Sequence, residues 1–305
     1  MVRAKPALIL VLLGFAAIYL IWGSTYLGIR VAVGTMPPYL MAGMRFTIAG
    51  VLLFGFLKLR GAPWPNRAQW KDQAIAGILM LLGGNADVTW AEQTTPSGLT
   101  TLILAASPFL VVIMDWARPN GSRPRLLVVI GMAVGIGGVA LLLAPGSIPA
   151  GYRPPALSVC MLCFSSICWW SGSLYSKHST SGTPLILASA MQMLCGSAAM
   201  LLVALALGQV RHLNVDAISR ESWIAFTYLV IAGSLIAFPV YVWLLKHSSP
   251  AKVSTYAYVN PVIAVILGWA ILNEPLNMRI ITAAVIILGA VVIITIGKSG
   301  PAKNT

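Results

Sequence analysis

Gln93–Phe109 reads QTTPSGLTTLILAASPF, and His247–Val262 reads HSSPAKVSTYAYVNPV. Both open on hydroxyl residues before a proline and run on through small residues. Each then reaches a second proline, preceded by Ser107 in one stretch and by Asn260 in the other. Two near-copies half a chain apart mark a duplicated unit. Placing Pro96 on Pro250 and, with one residue of slippage, Ser107-Pro108 on Asn260-Pro261 brings Trp116 onto Trp269. Placing Pro38 on Pro184 brings Ala42 onto Ala188 and Gly50 onto Gly196, and WGSTYLGIR (22–30) answers WWSGSLYSK (169–177).

The two units sit in an apolar chain. It is 58% hydrophobic and 9% charged, with mean hydropathy +0.87, whereas a soluble domain carries roughly 25% charge. The apolar residues gather into blocks near the length that spans hydrocarbon as a helix: 8–30, 38–58, 74–92, 96–116, 125–144, 157–176, 184–207, 222–245, 250–272 and 278–297. Such a chain has no solvated face, which excludes a soluble protein. The first block continues past Tyr26 with no small-x-small cleavage site, so it is expected to stay as a helix rather than leave as a signal peptide.

Ten helices divide into five and five, with units 1–146 and 147–305. Because five is odd, the second unit enters the membrane from the opposite side, giving an inverted-topology repeat. The expected fold is an all-α integral membrane protein of ten transmembrane helices in two inverted five-helix repeats. With the N-terminus inside, 14 Lys and Arg fall on the inner side and 5 on the outer, leaving Arg45 within helix 2. The positive-inside rule then places both termini in the cytoplasm. This placement makes the net charge of +13 topological and removes nucleic acid as a partner; the lipid bilayer is the partner it implies. Helices 4 and 9 are expected to start at Thr95-Pro96 and Ser249-Pro250, hydroxyl as N-cap and proline at the first helical position.

The polar residues inside the membrane are the candidate site. Ser107 and Asn260 fall near the midplane, and Pro108 and Pro261 after them are read as helix kinks lining a central cavity, the alternative being prolines whose freed carbonyls neighbours satisfy. Arg45 lies deep in helix 2, where an unpaired charge costs at least roughly 2.5–3.5 kcal/mol. Asp87 reaches a similar depth on helix 3, so the two are expected to pair or to line a wet cavity, as a structural lock, an anion site or a proton carrier. Trp22, with Ser24 beside it, lies too deep for a membrane-interface belt, Trp169 and Trp170 sit in the inner half of helix 6 as the inverted symmetry requires, and Tyr256 shares a helix face with Asn260. A cavity walled by Trp and Tyr with a few amides and hydroxyls suits a small amphipathic organic solute. Cys160, Cys163, Cys168 and Cys195 have no histidine or carboxylate company at ligand spacing, so no metal and no cofactor is expected. Gly131, Gly135 and Gly138 in helix 5 are read as helix packing, with a homodimer contact as the alternative.

Four stretches in order, WGSTYLGIRVAV (22–33), PPYLMAGMRFTIAGVLL (37–53), TTPSGLTTLILAASPF (94–109) and SPAKVSTYAYVNPVIAVILGWAILNEP (249–275), resemble the EamA family of the drug/metabolite transporter superfamily. The resemblance covers nearly the whole chain and implies a bacterial inner-membrane carrier, usually an exporter of amino acids or related metabolites. Arg45-Phe46 and Asn273-Glu274-Pro275 match family positions, with Glu274 implied in gating. The corresponding acidic turn after helix 4 is missing, where the chain reads RPNGSRP (118–124). A secondary transporter of small organic solutes, working by alternating access around a midplane cavity, is the expected function. The alternative is a membrane-embedded enzyme on a lipid-linked substrate, disfavoured because no acids or histidines cluster near an interface.

Overall fold

The computed structural model describes residues 7–105, 116, 125–143, 154–179, 181–211, 213–248, 250–274 and 276–299. Among these lie ten helices: α1 Leu8–Ala32, α2 Pro38–Leu59, α3 Arg67–Ala91, α4 Ser97–Leu104, α5 Leu126–Leu143, α6 Ala156–His178, α7 Leu185–Ala206, α8 Arg220–His247, α9 Tyr256–Leu272 and α10 Met278–Ser299. Six of them, α1, α2, α3, α6, α7 and α8, are long and apolar enough to cross a membrane. Hydrocarbon offers backbone groups no partner, so a helix, which satisfies its own, is the form these blocks must take. The bundle buries polar side chains among an apolar core and turns apolar ones outward. Thr89, Thr100, Ser189 and Gln192 are buried, while Leu20, Leu52, Leu202 and Val285 face outward.

Short connections make successive helices antiparallel. We call the side where α1 begins the near face and the other the far face. Contacts follow a two-fold pattern: α1 packs on α8 and α9 as α6 packs on α3 and α4, and α2 lies along α8 as α7 lies along α3. The pairs α2 with α7, α4 with α9 and α5 with α10 join equivalent helices across the pseudo-axis. The glycine stripe of helix 5 serves the last pair: Gly131, Gly135 and Gly138 are buried, and a Cβ at Gly138 would meet Ile287 at 2.8 Å and Ile286 at 2.9 Å.

Both third helices loosen halfway. α3 turns π-helical over Ile78–Ala86 and α8 over Leu229–Ala237, nine residues each. Such widenings gather at functional sites. The glycine in each admits the first helix of the other repeat: a Cβ at Gly84 would meet Trp169 of α6 at 2.9 Å, and one at Gly233 would meet Thr25 of α1 at 3.1 Å.

Three helix starts differ from expectation. Helix 3 begins at Arg67 rather than 74, because Asn66 and Gln69 form a capping box that extends it into a polar segment. Helix 9 is preceded by one turn, Pro250–Val253, and restarts at Tyr256 after Ser254-Thr255. Ser249 lies outside the described residues. Helix 4 begins at Ser97 with Pro96 in the cap position and no cap from its own side chains; Thr95 Oγ1 finds no partner at all. Its cap comes from the other repeat.

Candidate functional site

α1, α2, α3, α4, α6, α8 and α9 line a partly open cavity with about 820 Å³ of empty space, part of it continuous with solvent. Trp22, Arg45, Trp170, Tyr256, Asn260 and Pro261, singled out in the sequence, all line it. Ser24 does not; its hydroxyl reaches Tyr228 on α8 at 2.5 Å and back-bonds to Leu20 and Ile21. Ser107 and Pro108 lie outside the described residues.

Arg45 is 2% exposed and does not meet Asp87. Its Nε donates to Ser234 Oγ at 2.8 Å, its guanidinium lies 4.6 Å from the centre of the Phe46 ring, and Nη1 has no partner. Asp87 instead accepts from the Tyr39 hydroxyl at 2.9 Å. The π-helical stretch of α8 makes this possible: it delivers Ser234 to Nε, and Gly233 leaves room where a Cβ would stand 2.6 Å from Nη2. Opposite, the π-helical stretch of α3 brings Gly84 and Asn85 to the wall, and Asn85 Oδ1 is buried without a partner. Buried polar atoms are almost always paired. A donor and an acceptor of residues lining one cavity are thus both buried and unpaired.

Asn260 has its own work. With its amide oriented to suit its neighbours, Nδ2 donates to Tyr19 O at 3.2 Å and Tyr256 O at 3.1 Å, tying α9 to α1 beside Pro261. Toward the near face the cavity is floored by aromatic rings. Trp22 lies 5.4 Å from Trp169, 4.8 Å from Tyr241 and 5.2 Å from Tyr256, with Trp170 stacked 6.4 Å from Tyr256. Trp169 Nε1 donates to the Tyr241 hydroxyl at 3.1 Å, so the floor is hydrogen-bonded as well as packed. Toward the far face the wall is polar, with Thr101, Ser165 and Ser166.

Glu274 lies at the far face. Its carboxylate accepts from Ser97 N at 2.8 Å, Ser97 Oγ at 2.9 Å and Gly98 N at 3.1 Å. It is the missing cap of α4, an acid of the second repeat seated on a helix N-terminus of the first. α9 runs close there: a Cβ at Gly268 would strike the Glu274 carboxylate.

Sequence reasoning missed Asn85, Gly233, Ser234 and Tyr241. The signal for Asn85 was an amide beside two glycines, Gly83 and Gly84, where Cys168 and Trp169 of α6 approach closely.

The EamA-like transporter family matches twice, over residues 8–144 and 156–296. The chain is similar to the Uncharacterized inner membrane transporter YedA of Escherichia coli (strain K12), 36% identical, over 92% of this chain and 89% of that one. It is also similar to the Uncharacterized transporter YoaV of Bacillus subtilis (strain 168), 24% identical, over 91% and 94%. A solved crystal structure, 22% identical, superposes with a TM-score of 0.68 over 94% of this chain and 98% of its own, a likeness of fold.

Proposed function

This chain belongs to the EamA-like transporter family and is a membrane transporter, and we propose that it is a secondary exporter of a small carboxylated metabolite, of the amino-acid class. Membership in a transporter family sets aside the lipid-linked enzyme. The observation that carries the reading is the open pair Arg45 Nη1 and Asn85 Oδ1 in one aromatic cavity. A free guanidinium N–H takes a carboxylate, the amide oxygen takes an ammonium or hydroxyl donor, and the Trp and Tyr faces take the apolar remainder.

The repeats, 1–146 and 147–305, would rock about this midplane cavity so that it opens to one face at a time. The near face is assigned to the cytoplasm by its Lys and Arg excess, and the similarity to an inner membrane transporter supports the same membrane here. The aromatic floor is then the inner gate, and the Glu274 contact with α4 the outer one.

Counterflow in proteoliposomes tests this. Vesicles loaded with a panel of unlabelled amino acids are challenged with each labelled compound. Solute-specific exchange that disappears in Arg45→Ala supports the reading. Exchange that ignores Arg45 removes the carboxylate site, and exchange confined to cationic drugs removes the solute class.

A further inference from the structure

The far gate holds a second acid that the solute cavity does not use. Glu92 follows α3, is fully buried, and neither of its carboxyl oxygens has a hydrogen-bond partner. The nearest cation, Arg30 on α1, does not supply one: its Nη1 donates to the backbone carbonyls of Glu92 and Gln93, the latter at 2.8 Å. Burial acts most on Glu92, Glu274 acts on it as a like charge and Arg30 as an opposite one, and Tyr26 of α1 is its remaining titratable neighbour. α4 and α6 bring no charge to this end among the described residues; Ser97 and Ser158 are the hydroxyls they offer there.

The two acids live in opposite surroundings. Glu274 has three donors at the α4 N-terminus, which suit an anion. Glu92 has none, and burying a carboxylate without donors disfavours its charged form. A buried carboxyl without donors, as at Glu92, is favoured as the neutral acid.

We propose that Glu92 is a proton-binding residue of the far gate, protonated while α4 and Glu274 are docked and ionised when they part. Opening lets water reach the Glu92 carboxyl, which releases its proton to that water. The closed gate therefore binds one more proton than the open one. Rising far-side pH favours opening, by up to about tenfold in the open-to-closed ratio per pH unit for a single proton. The inference builds on the carrier reading only in calling this contact a gate.

Spin labels at Gln93→Cys and Leu276→Cys, in full-length protein in nanodiscs with the four native cysteines replaced by serine, report the gate distance against pH. We expect the distance to lengthen as pH rises in this background, to stay short throughout in Glu92→Gln, and to keep a pH response in Glu92→Asp, which retains a titrating carboxyl. A distance indifferent to pH overturns the proposal, as does an undiminished response in Glu92→Gln. If counterflow fails for every solute while the distance still titrates through Glu92, the carrier reading falls and the proton site stands.

Discussion

Arg30 and Lys177 are equivalents in the two repeats and bind equivalent targets at opposite faces. Arg30 ends α1 and donates to the carbonyls of Glu92 and Gln93, where α3 runs out. Lys177 ends α6 and donates to Leu245 O at 2.5 Å and Ser248 O at 2.9 Å, where α8 runs out. The last carbonyls of a helix lack partners and carry the negative end of its dipole, so a cation from the neighbouring helix answers both needs. Each repeat thus locks its first helix to its third in the same way.

Removing either lock leaves carbonyls short of a partner. We expect Arg30→Ala and Lys177→Ala each to destabilise the protein by about 1.5–3 kcal/mol, as for hydrogen bonds to charged groups. Because the two sites share no partner, the double variant should lose the sum to within about 0.5 kcal/mol. Reversible unfolding in lipid micelles measures all three.

Gly233→Ala places a methyl group against the Arg45 guanidinium. The expected outcome is a loss of affinity for carboxylated solutes of at least about tenfold, the equivalent of one ordinary hydrogen bond, with little change for neutral ones. Competition in the counterflow assay reads the difference. Ser234→Ala should do less, since it frees Nε and leaves Nη1 in place.

Ten helices and the inverted repeat were legible because apolar blocks and a repeated proline pattern survive in one dimension. The partner of Arg45 was not. The rise per residue gives depth, and at equal depth Asp87 looked reachable; which way each side chain turns is decided by packing, and Tyr39 and Ser234 stand nearer. The π-helical stretches were invisible for a related reason, since an i to i+5 pattern needs no particular residues. Thr95-Pro96 carried a sound local cap signal that lost to Glu274, an acid 177 residues away from Ser97, and no spacing rule reaches so far.

Glu274→Ala should cost about 0.5–2 kcal/mol through the lost cap, and unlike Glu92→Gln it should lengthen the Gln93–Leu276 distance at every pH. Gly268→Ala, which crowds the same carboxylate, should shift the distance in the same direction.

Two glycines far from the cavity should respond oppositely to alanine. At Gly77 a Cβ would run into the backbone of Gln192, with Cα at 2.8 Å, so α3 and α7 must separate; a loss of about 1–3 kcal/mol is expected from overpacking. At Gly55, inside α2, nothing lies within 4 Å, and Gly55→Ala should gain roughly 0.5–1 kcal/mol from helix propensity. Melting temperatures of the two variants give the signs.

The far face carries an acid after α9 that seats α4, whereas the stretch in the equivalent place after helix 4, RPNGSRP, has no acid to offer α9. Among the described residues one such acid latch is present, at the far face. If the repeats rock as proposed, breaking that latch would be work done in only one half of the cycle, so the half-cycles would run at unequal speed and the protein would dwell longer on one side of the membrane than on the other. On that proposal, one residue that was not duplicated would set the resting position of a duplicated machine.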